Sequence, residues 1–126
     1  ITNGRMGIMP AQAKLLTDEE LDKLAAAVMS GNPAAEPLFM EKACFACHGP
    51  DGKGMQALGS ANLTDAIWRF KEADQLASVK QTIRHGVNDA SDPMSREAVM
   101  PKFGDRLSKD DIKKLAVYVY KFGGGQ

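Results

Sequence analysis

Two stretches of the sequence place apolar residues at the spacing of an amphipathic helix. In the first, Thr17 precedes an acidic turn, Glu20 completes a capping box, and Gly31-Asn32-Pro33 ends the pattern. In the second, near the C-terminus, Ser108 and Asp111 form the cap. The first apolar stripe consists of Leu21, Leu24, Ala25 and Val28, and the second of Ile112, Leu115, Ala116, Val119 and Phe122. The pattern predicts a helix at each of these two places.

The sequence between these two helices predicts further helices and two long loops. A helix is expected over 35–47, and shorter helical pieces are expected over 64–70 and 72–85. The glycine-rich stretch 49–59 and the stretch 86–104 are predicted to be loops. No segment shows the alternation of a half-buried strand, so the fold class is predicted to be all-α.

The sequence also repeats itself. Met9-Pro10 and Met100-Pro101 are 91 positions apart (100 − 9), and the same offset aligns the caps and the apolar stripes of the two helices. Two unrelated amphipathic helices with similar caps would be the simpler explanation, but the aligned Met-Pro pairs favour a duplication. We therefore predict that 1–31 is the tail of a preceding, similar domain and that 32–126 is a domain in itself.

Composition narrows the class of protein. Lysine plus arginine and aspartate plus glutamate number 16 each among 126 residues, which gives no net field for nucleic acid or a membrane surface. No apolar run reaches the roughly 18–20 residues that cross a bilayer. Ile1 to Pro10 lacks the features of a signal peptide, so we expect a removed signal or an excised piece. A chain this small often needs a covalent or metal staple.

The two cysteines are three positions apart, in Cys44-Phe45-Ala46-Cys47-His48. On a helix, residues at i, i+3 and i+4 project from one face, so both thiols and the imidazole would point the same way. Two thiols that add to the vinyl groups of a haem, with a histidine that reaches its iron, require this arrangement. The motif predicts one covalent haem c.

Two other uses of the motif fit less well. A thioredoxin-like dithiol would follow a strand of a parallel sheet, and no such strand is predicted. A zinc site needs about four ligands, and after the motif the chain offers only His85.

The ligand opposite His48 decides between electron transfer and ligand chemistry. Met100 is the predicted ligand, because Pro101 stiffens its loop and removes an amide donor beside the thioether. The ordinary alternative is a methionine that fills the core. Met94 in the same loop ranks lower, and His85 fits better as a solvated residue at a helix end. Met9 has no haem motif of its own and is interpreted as a structural remnant, unless it reaches the haem of a neighbouring chain.

Trp68 is the only tryptophan of the chain. Its ring fits equally well as a wall of the haem site, with the N–H donating to a propionate, or as an ordinary core residue. Both interpretations stay open.

A set of short motifs resembles class I cytochromes c, and more specifically the second haem domain of the dihaem P subunit of cbb3-type cytochrome oxidases. The motifs are Cys44-x-x-Cys47-His48, Gly49-x-Asp51-Gly52-x-Gly54, Asn62-Leu63-Thr64-Asp65-x-x-Trp68, Ile83-Arg84-x-Gly86 and Met100-Pro101. The resemblance implies a class I cytochrome c fold with an extra N-terminal helix. It also implies thioether links at Cys44 and Cys47, His48 and Met100 as axial ligands, and Trp68 beside the haem. The stretch from Gly86 to Met100 departs from the pattern, since it is longer than the matching stretch before Met9.

The haem motif and Met100 predict a single-electron carrier, and the resemblance implies that it relays electrons within a respiratory cbb3-type oxidase and is not an enzyme on its own. The alternatives are a soluble cytochrome, a domain of a nitric-oxide reductase or dehydrogenase, or a haem-based gas sensor or peroxidase. Expected partners are an upstream cytochrome and the oxidase subunits, on the periplasmic side of a bacterial inner membrane. The parent protein is expected to be membrane-anchored. The helix at 17–29 is expected to pack either on its own haem domain or on another copy of the chain, and the second case would give self-association.

Overall fold

The computed structural model of the chain describes residues 1–123. Within this part the chain is mostly helical, with a short two-stranded sheet that the all-α prediction missed. The helices are α1 (Asp18–Met29), α2 (Pro37–Glu41), α3 (Phe45–His48), α4 (Gln75–His85) and α5 (Lys109–Gly123), with a 3₁₀ turn at Pro33–Ala35. The strands are β1 (Arg5–Met6) and β2 (Val99–Met100).

The chain forms two compact units. The larger unit is Gly7–Ala98, and the smaller combines Ile1–Met6 with the chain from Val99 onward.

The core of the larger unit lies between α1 and α4. All four apolar residues predicted for the first stripe are buried, and Ala25 is fully inaccessible to solvent. Ala25 and Val28 of α1 meet Val79 of α4. The partly buried side chains around this cluster are Leu63, Trp68 and Ile83. Burial of these apolar surfaces is the main stabilising term that joins the two helices.

Helix α1 has the predicted capping box at its N-terminus. The Thr17 hydroxyl accepts the Glu20 N–H at 3.2 Å, and the Glu20 carboxylate accepts the Thr17 N–H at 2.9 Å. The same carboxylate pairs with Lys42 at 2.8 Å, so the cap also ties α1 to the segment that leads into the cysteine motif.

The predicted helix over 35–47 is wrong as one continuous element. It is interrupted between α2 and α3, where Ala43 has a φ of 59°. A non-glycine residue in this region cannot continue a right-handed helix. The Cys44 N–H instead donates to the Phe39 carbonyl at 3.0 Å, and Phe39 is buried.

The predicted helical piece over 64–70 is also wrong, since this stretch contains bends and no helix. The Asn62 side chain accepts the Thr64 N–H, and Asp65 accepts the Ile67 N–H, both at 2.9 Å. These local side-chain bonds compete with helical pairing. The helical piece predicted over 72–85 is present as α4, which begins three residues later than predicted, at Gln75, with Asp74 as its N-cap.

In the smaller unit, β1 and β2 pair antiparallel, with Arg5 opposite Met100. Helix α5 has the predicted Ser108 cap, whose hydroxyl accepts the Asp111 N–H at 3.1 Å. Its apolar stripe is largely exposed, and Leu115, Val119 and Phe122 are 40%, 59% and 73% exposed. Over residues 1–123, no helix combines the length and hydropathy needed to span a membrane.

Candidate functional site

His48 is the buried histidine of the cysteine motif and ends helix α3. Its side chain is almost fully enclosed, with 9% of the residue exposed. The Nδ1 atom lies 3.0 Å from the Ala61 carbonyl oxygen. Because a carbonyl only accepts hydrogen bonds, Nδ1 carries the proton and Nε2 keeps its lone pair for a metal.

Burial also favours the neutral form of this imidazole. It lowers the pKa of His48, because enclosure penalises the charged ring, and the bond to Ala61 opposes this shift. A neutral imidazole with a fixed ring orientation is the form that binds iron.

The glycine-rich loop brings the Ala61 carbonyl to His48. The Gly54 N–H donates to the His48 carbonyl at 2.8 Å, and the Ser60 hydroxyl donates to the Cys47 carbonyl. Gly54 has a φ of 81°, and a Cβ built on it would lie 2.8 Å from the Ala61 oxygen. Only glycine combines this backbone conformation with so close an approach.

Cys44 and Cys47 are free thiols on the same short turn as His48. The His48 N–H donates to the Cys44 carbonyl at 3.0 Å, so 44–48 forms one helical turn. Cys44 is half-buried and Cys47 is exposed. Burial raises the pKa of the Cys44 thiol, which keeps it protonated near neutral pH.

The donor set and its surroundings fit a covalently attached haem. A neutral histidine and two nearby thiols supply one iron ligand and two attachment points. Phe45, Met55 and Leu58, on the motif and the following loop, are 36%, 40% and 49% exposed, and such side chains suit contact with a flat apolar group. Among residues 1–123, no three His, Cys, Asp or Glu side chains gather into a metal cluster.

The predicted sixth-position ligands lie in different places. Met100 belongs to the smaller unit, where it is 41% exposed, and Met94 is 58% exposed in the loop after α4. Met9 is half-buried in the larger unit, the unit that contains His48. The His85 ring binds the Asp92 carboxylate at 3.0 Å, so it is not the freely solvated residue that the sequence suggested.

Trp68 lies against the core cluster of α1 and α4 and is half-buried. The core interpretation therefore has contacts that support it.

Pattern reasoning from the sequence does not find the residues that hold His48. Ala61 acts through its backbone carbonyl, which leaves no signal in the side chain. Gly54 did leave one, since it stands in the glycine-rich loop directly after the motif.

Comparisons with known proteins match nearly the whole chain. The family model described as cytochrome C oxidase, cbb3-type, subunit III matches residues 33–119. The cbb3-type cytochrome c oxidase subunit FixP of Azorhizobium caulinodans is 39% identical over 133 aligned positions, which cover 98% of this chain and 41% of the relative. Subunit CcoP of Rubrivivax gelatinosus is 40% identical over 128 positions, which cover 95% and 38%. The chain thus spans about two fifths of the length of these relatives. Since the model matches well over half of its residues, the chain belongs to the family of cbb3-type cytochrome c oxidase subunit III.

Proposed function

We propose that this chain carries single electrons on one covalent haem c and relays them within a cbb3-type oxidase. The observation that carries the proposal is the buried His48, whose Nδ1–H is held by the Ala61 carbonyl beside two free thiols. When bound, the haem supplies an iron that cycles between the ferrous and ferric states. The whole activity of the parent protein, its membrane anchor and its periplasmic location belong to this proposal.

The roles of the chain's own residues follow from their chemistry. Cys44 and Cys47 would form the two thioether links, and His48 would offer Nε2 to the iron. Met100 would offer its thioether as the second iron ligand, a donor that favours the reduced state. Trp68 is proposed to border the haem as well as the α1–α4 core. A preceding cytochrome-like domain, with 1–31 as its tail, is proposed to stand before the haem domain 32–126.

Production of the chain with a cytochrome c maturation system tests haem attachment. We expect one haem per chain that survives denaturing electrophoresis, and its loss when both Cys44→Ser and Cys47→Ser are present. Wild-type chain without covalent haem would contradict the proposal.

Ligand access tests electron transfer against gas sensing or peroxidase chemistry. With both axial positions occupied, the ferrous protein should bind carbon monoxide slowly, and the ferric protein should bind peroxide slowly. Fast binding of either would favour an open iron. Reoxidation of the reduced chain by a cbb3-type oxidase stripped of its own cytochrome subunits tests the relay itself.

A further inference from the structure

The Met9-Pro10 segment makes close backbone contacts in the larger unit. Gly86, at the end of α4, has a φ of 73°, and a Cβ built on it would lie 3.0 Å from the Pro10 carbonyl carbon and 2.8 Å from the Ala11 nitrogen. Val87 and Met9 exchange two backbone hydrogen bonds of 2.9 Å each. The Met-Pro segment is therefore seated directly against the glycine that ends α4.

The Met100-Pro101 segment makes the same contacts in the smaller unit. Gly4 has a φ of 68°, and a Cβ built on it would lie 3.0 Å from the Pro101 carbonyl carbon and 2.8 Å from the Lys102 nitrogen. Arg5, the next residue, pairs with Met100 in the β1–β2 ladder. Each Met-Pro pair thus contacts one glycine in the left-handed region and pairs with the residue after it.

The residues that follow each Met-Pro pair continue the correspondence. In both units, the third and fourth residues after the methionine donate backbone N–H groups to the carbonyls of the residues three and two positions before the glycine. These bonds are Gln12 to Ile83 at 3.2 Å, Ala13 to Arg84 at 3.1 Å, Phe103 to Ile1 at 3.1 Å and Gly104 to Thr2 at 2.9 Å.

Chain order shows that the two Met-Pro segments are exchanged between the two repeats. The sequence Ile-x-x-Gly occurs at 1–4 and again at 83–86, each time before a Met-Pro pair. In an uninterrupted repeat, Gly4 would meet the first pair and Gly86 the second. In the structure each glycine meets the pair of the other repeat.

The helices that follow the two Met-Pro pairs, α1 and α5, show the same exchange. Helix α1, which follows the first Met-Pro pair, packs on α4 of the second repeat and buries its apolar stripe there. Helix α5 follows the second pair, and the equivalent positions Leu115 and Val119 are 40% and 59% exposed. Because α4 and α5 belong to the same repeat, chain order would place the stripe of α5 on α4. In the structure the stripe of α1 occupies that position.

We propose that 7–31, the Met9-Pro10 segment together with α1, is a closing segment of the haem-carrying unit that is interchangeable with the Met100-Pro101 segment and α5, and that Met9 takes the iron position otherwise proposed for Met100. The inference rests on the proposed haem site. It deepens that proposal, since the chain then holds two thioether donors, Met9 and Met100, for one iron position. Met9 has the same donor atom and the same following proline as Met100. It lies in the compact unit of His48 and is less exposed than Met100.

The test uses the full chain with its haem attached. Met100→Ala should keep the methionine-to-iron charge-transfer band of the ferric protein, and the double variant Met9→Ala with Met100→Ala should lose it. The reduction potential should fall with the band in the double variant. Met94→Ala, which removes an exposed loop methionine, is the matched control and should leave the band and the potential unchanged.

A second measurement tests whether the Met9 segment is bound to the end of α4, independently of the iron. Hydrogen exchange in wild type should show protected N–H groups at Gln12 and Ala13, because both are bonded to the end of α4. Free exchange at these two amides would overturn the proposal.

Loss of the band in Met100→Ala alone, with covalent haem retained, would also overturn it, as would a band that survives in the double variant. Neither result touches haem attachment. Absence of covalent haem from wild type would instead remove the proposed function on which the inference rests.

Discussion

The geometry at His48 depends on how closely the glycine-rich loop returns to the motif. A Cβ at Gly54 would lie 2.6 Å from the Ser60 carbonyl oxygen and 2.8 Å from the Ala61 carbonyl oxygen. Gly54→Ala must therefore displace the carbonyl that holds the imidazole. We expect the free energy of unfolding to fall by about 2–3 kcal/mol, because a left-handed non-glycine residue and a backbone clash add together. Urea unfolding of the haem-loaded protein measures this loss.

Gly31→Ala separates these two contributions. Gly31 has a φ of 73°, but a Cβ there would come no closer than 3.4 Å to any neighbour. This control should lose only the conformational term, about 1–2 kcal/mol, and leave the reduction potential unchanged. Equal losses and an unchanged potential in both variants would show that Gly54 does not position Ala61.

Asp89 binds the backbone of the Met9 segment, and its titration makes this contact sensitive to acid. Its carboxylate accepts the Ala11 N–H at 2.8 Å and both the N–H and the hydroxyl of Ser91. The Ala11 bond first, and then the Ser91 bonds, lower the pKa of Asp89. The folded pKa is below the unfolded value of about 3.9, so the stabilisation is present above that value and is lost as the pH falls through the folded pKa.

Asp89→Asn keeps an acceptor oxygen and removes this titration. We expect the variant to lose less stability than wild type between pH 4 and lower values, as measured by urea unfolding across that range. Asp89→Ala removes the acceptor and should be destabilised at every pH. Parallel acid profiles for wild type and Asp89→Asn would contradict the assignment.

At the scale of elements, α1 and α5 offer a matched pair of substitutions. Leu24 of α1 is 3% exposed, and its repeat partner Leu115 of α5 is 40% exposed. Leu24→Ala should cost about 2–5 kcal/mol, as a buried leucine does. Leu115→Ala should cost about 1 kcal/mol or less, as substitutions at accessible positions usually do. Thermal and urea unfolding measure both, and equal costs would place both helices in a core.

The caps and apolar spacing of the longer helices were enough to predict them. The Thr17 capping box and the stripe of α1 depend on residues a few positions apart, so the sequence contains all of their information. The interruption at Ala43 cannot be predicted in this way. It is accompanied by a bond from the Cys44 N–H to the carbonyl of Phe39, and the burial of Phe39 depends on the tertiary fold. The error over 64–70 has a local cause, since Asn62 and Asp65 bind nearby backbone and so compete with a helical pattern.

At the scale of the whole molecule, the motif predicts the attachment residues but not their support. The spacing alone predicts Cys44, Cys47 and His48, whereas Ala61 contributes a backbone atom that every residue type has. The exchange of closing segments was also beyond prediction. The repeat is visible in the sequence, but the two Met-Pro segments have nearly the same chemistry, so local preference does not decide which glycine each one meets.

The predicted domain boundary can be tested by removal of 1–31. The shortened chain 32–126 loses α1 and Met9, and α5 is then the segment with a matching apolar stripe and a Met-Pro pair before it. We expect this chain to attach haem, to unfold cooperatively and to show the methionine-to-iron band.

The identity of the ligand should change with the length of the chain. In 32–126, Met100→Ala should abolish the band, because no second Met-Pro pair is present, whereas in the full chain the same substitution should leave it. Met94→Ala in 32–126 is the control and should retain it. A shortened chain that attaches haem but binds carbon monoxide rapidly would contradict the boundary at residue 32. It would mean that α1 and the Met9 segment belong to the haem domain and are not the tail of a preceding one.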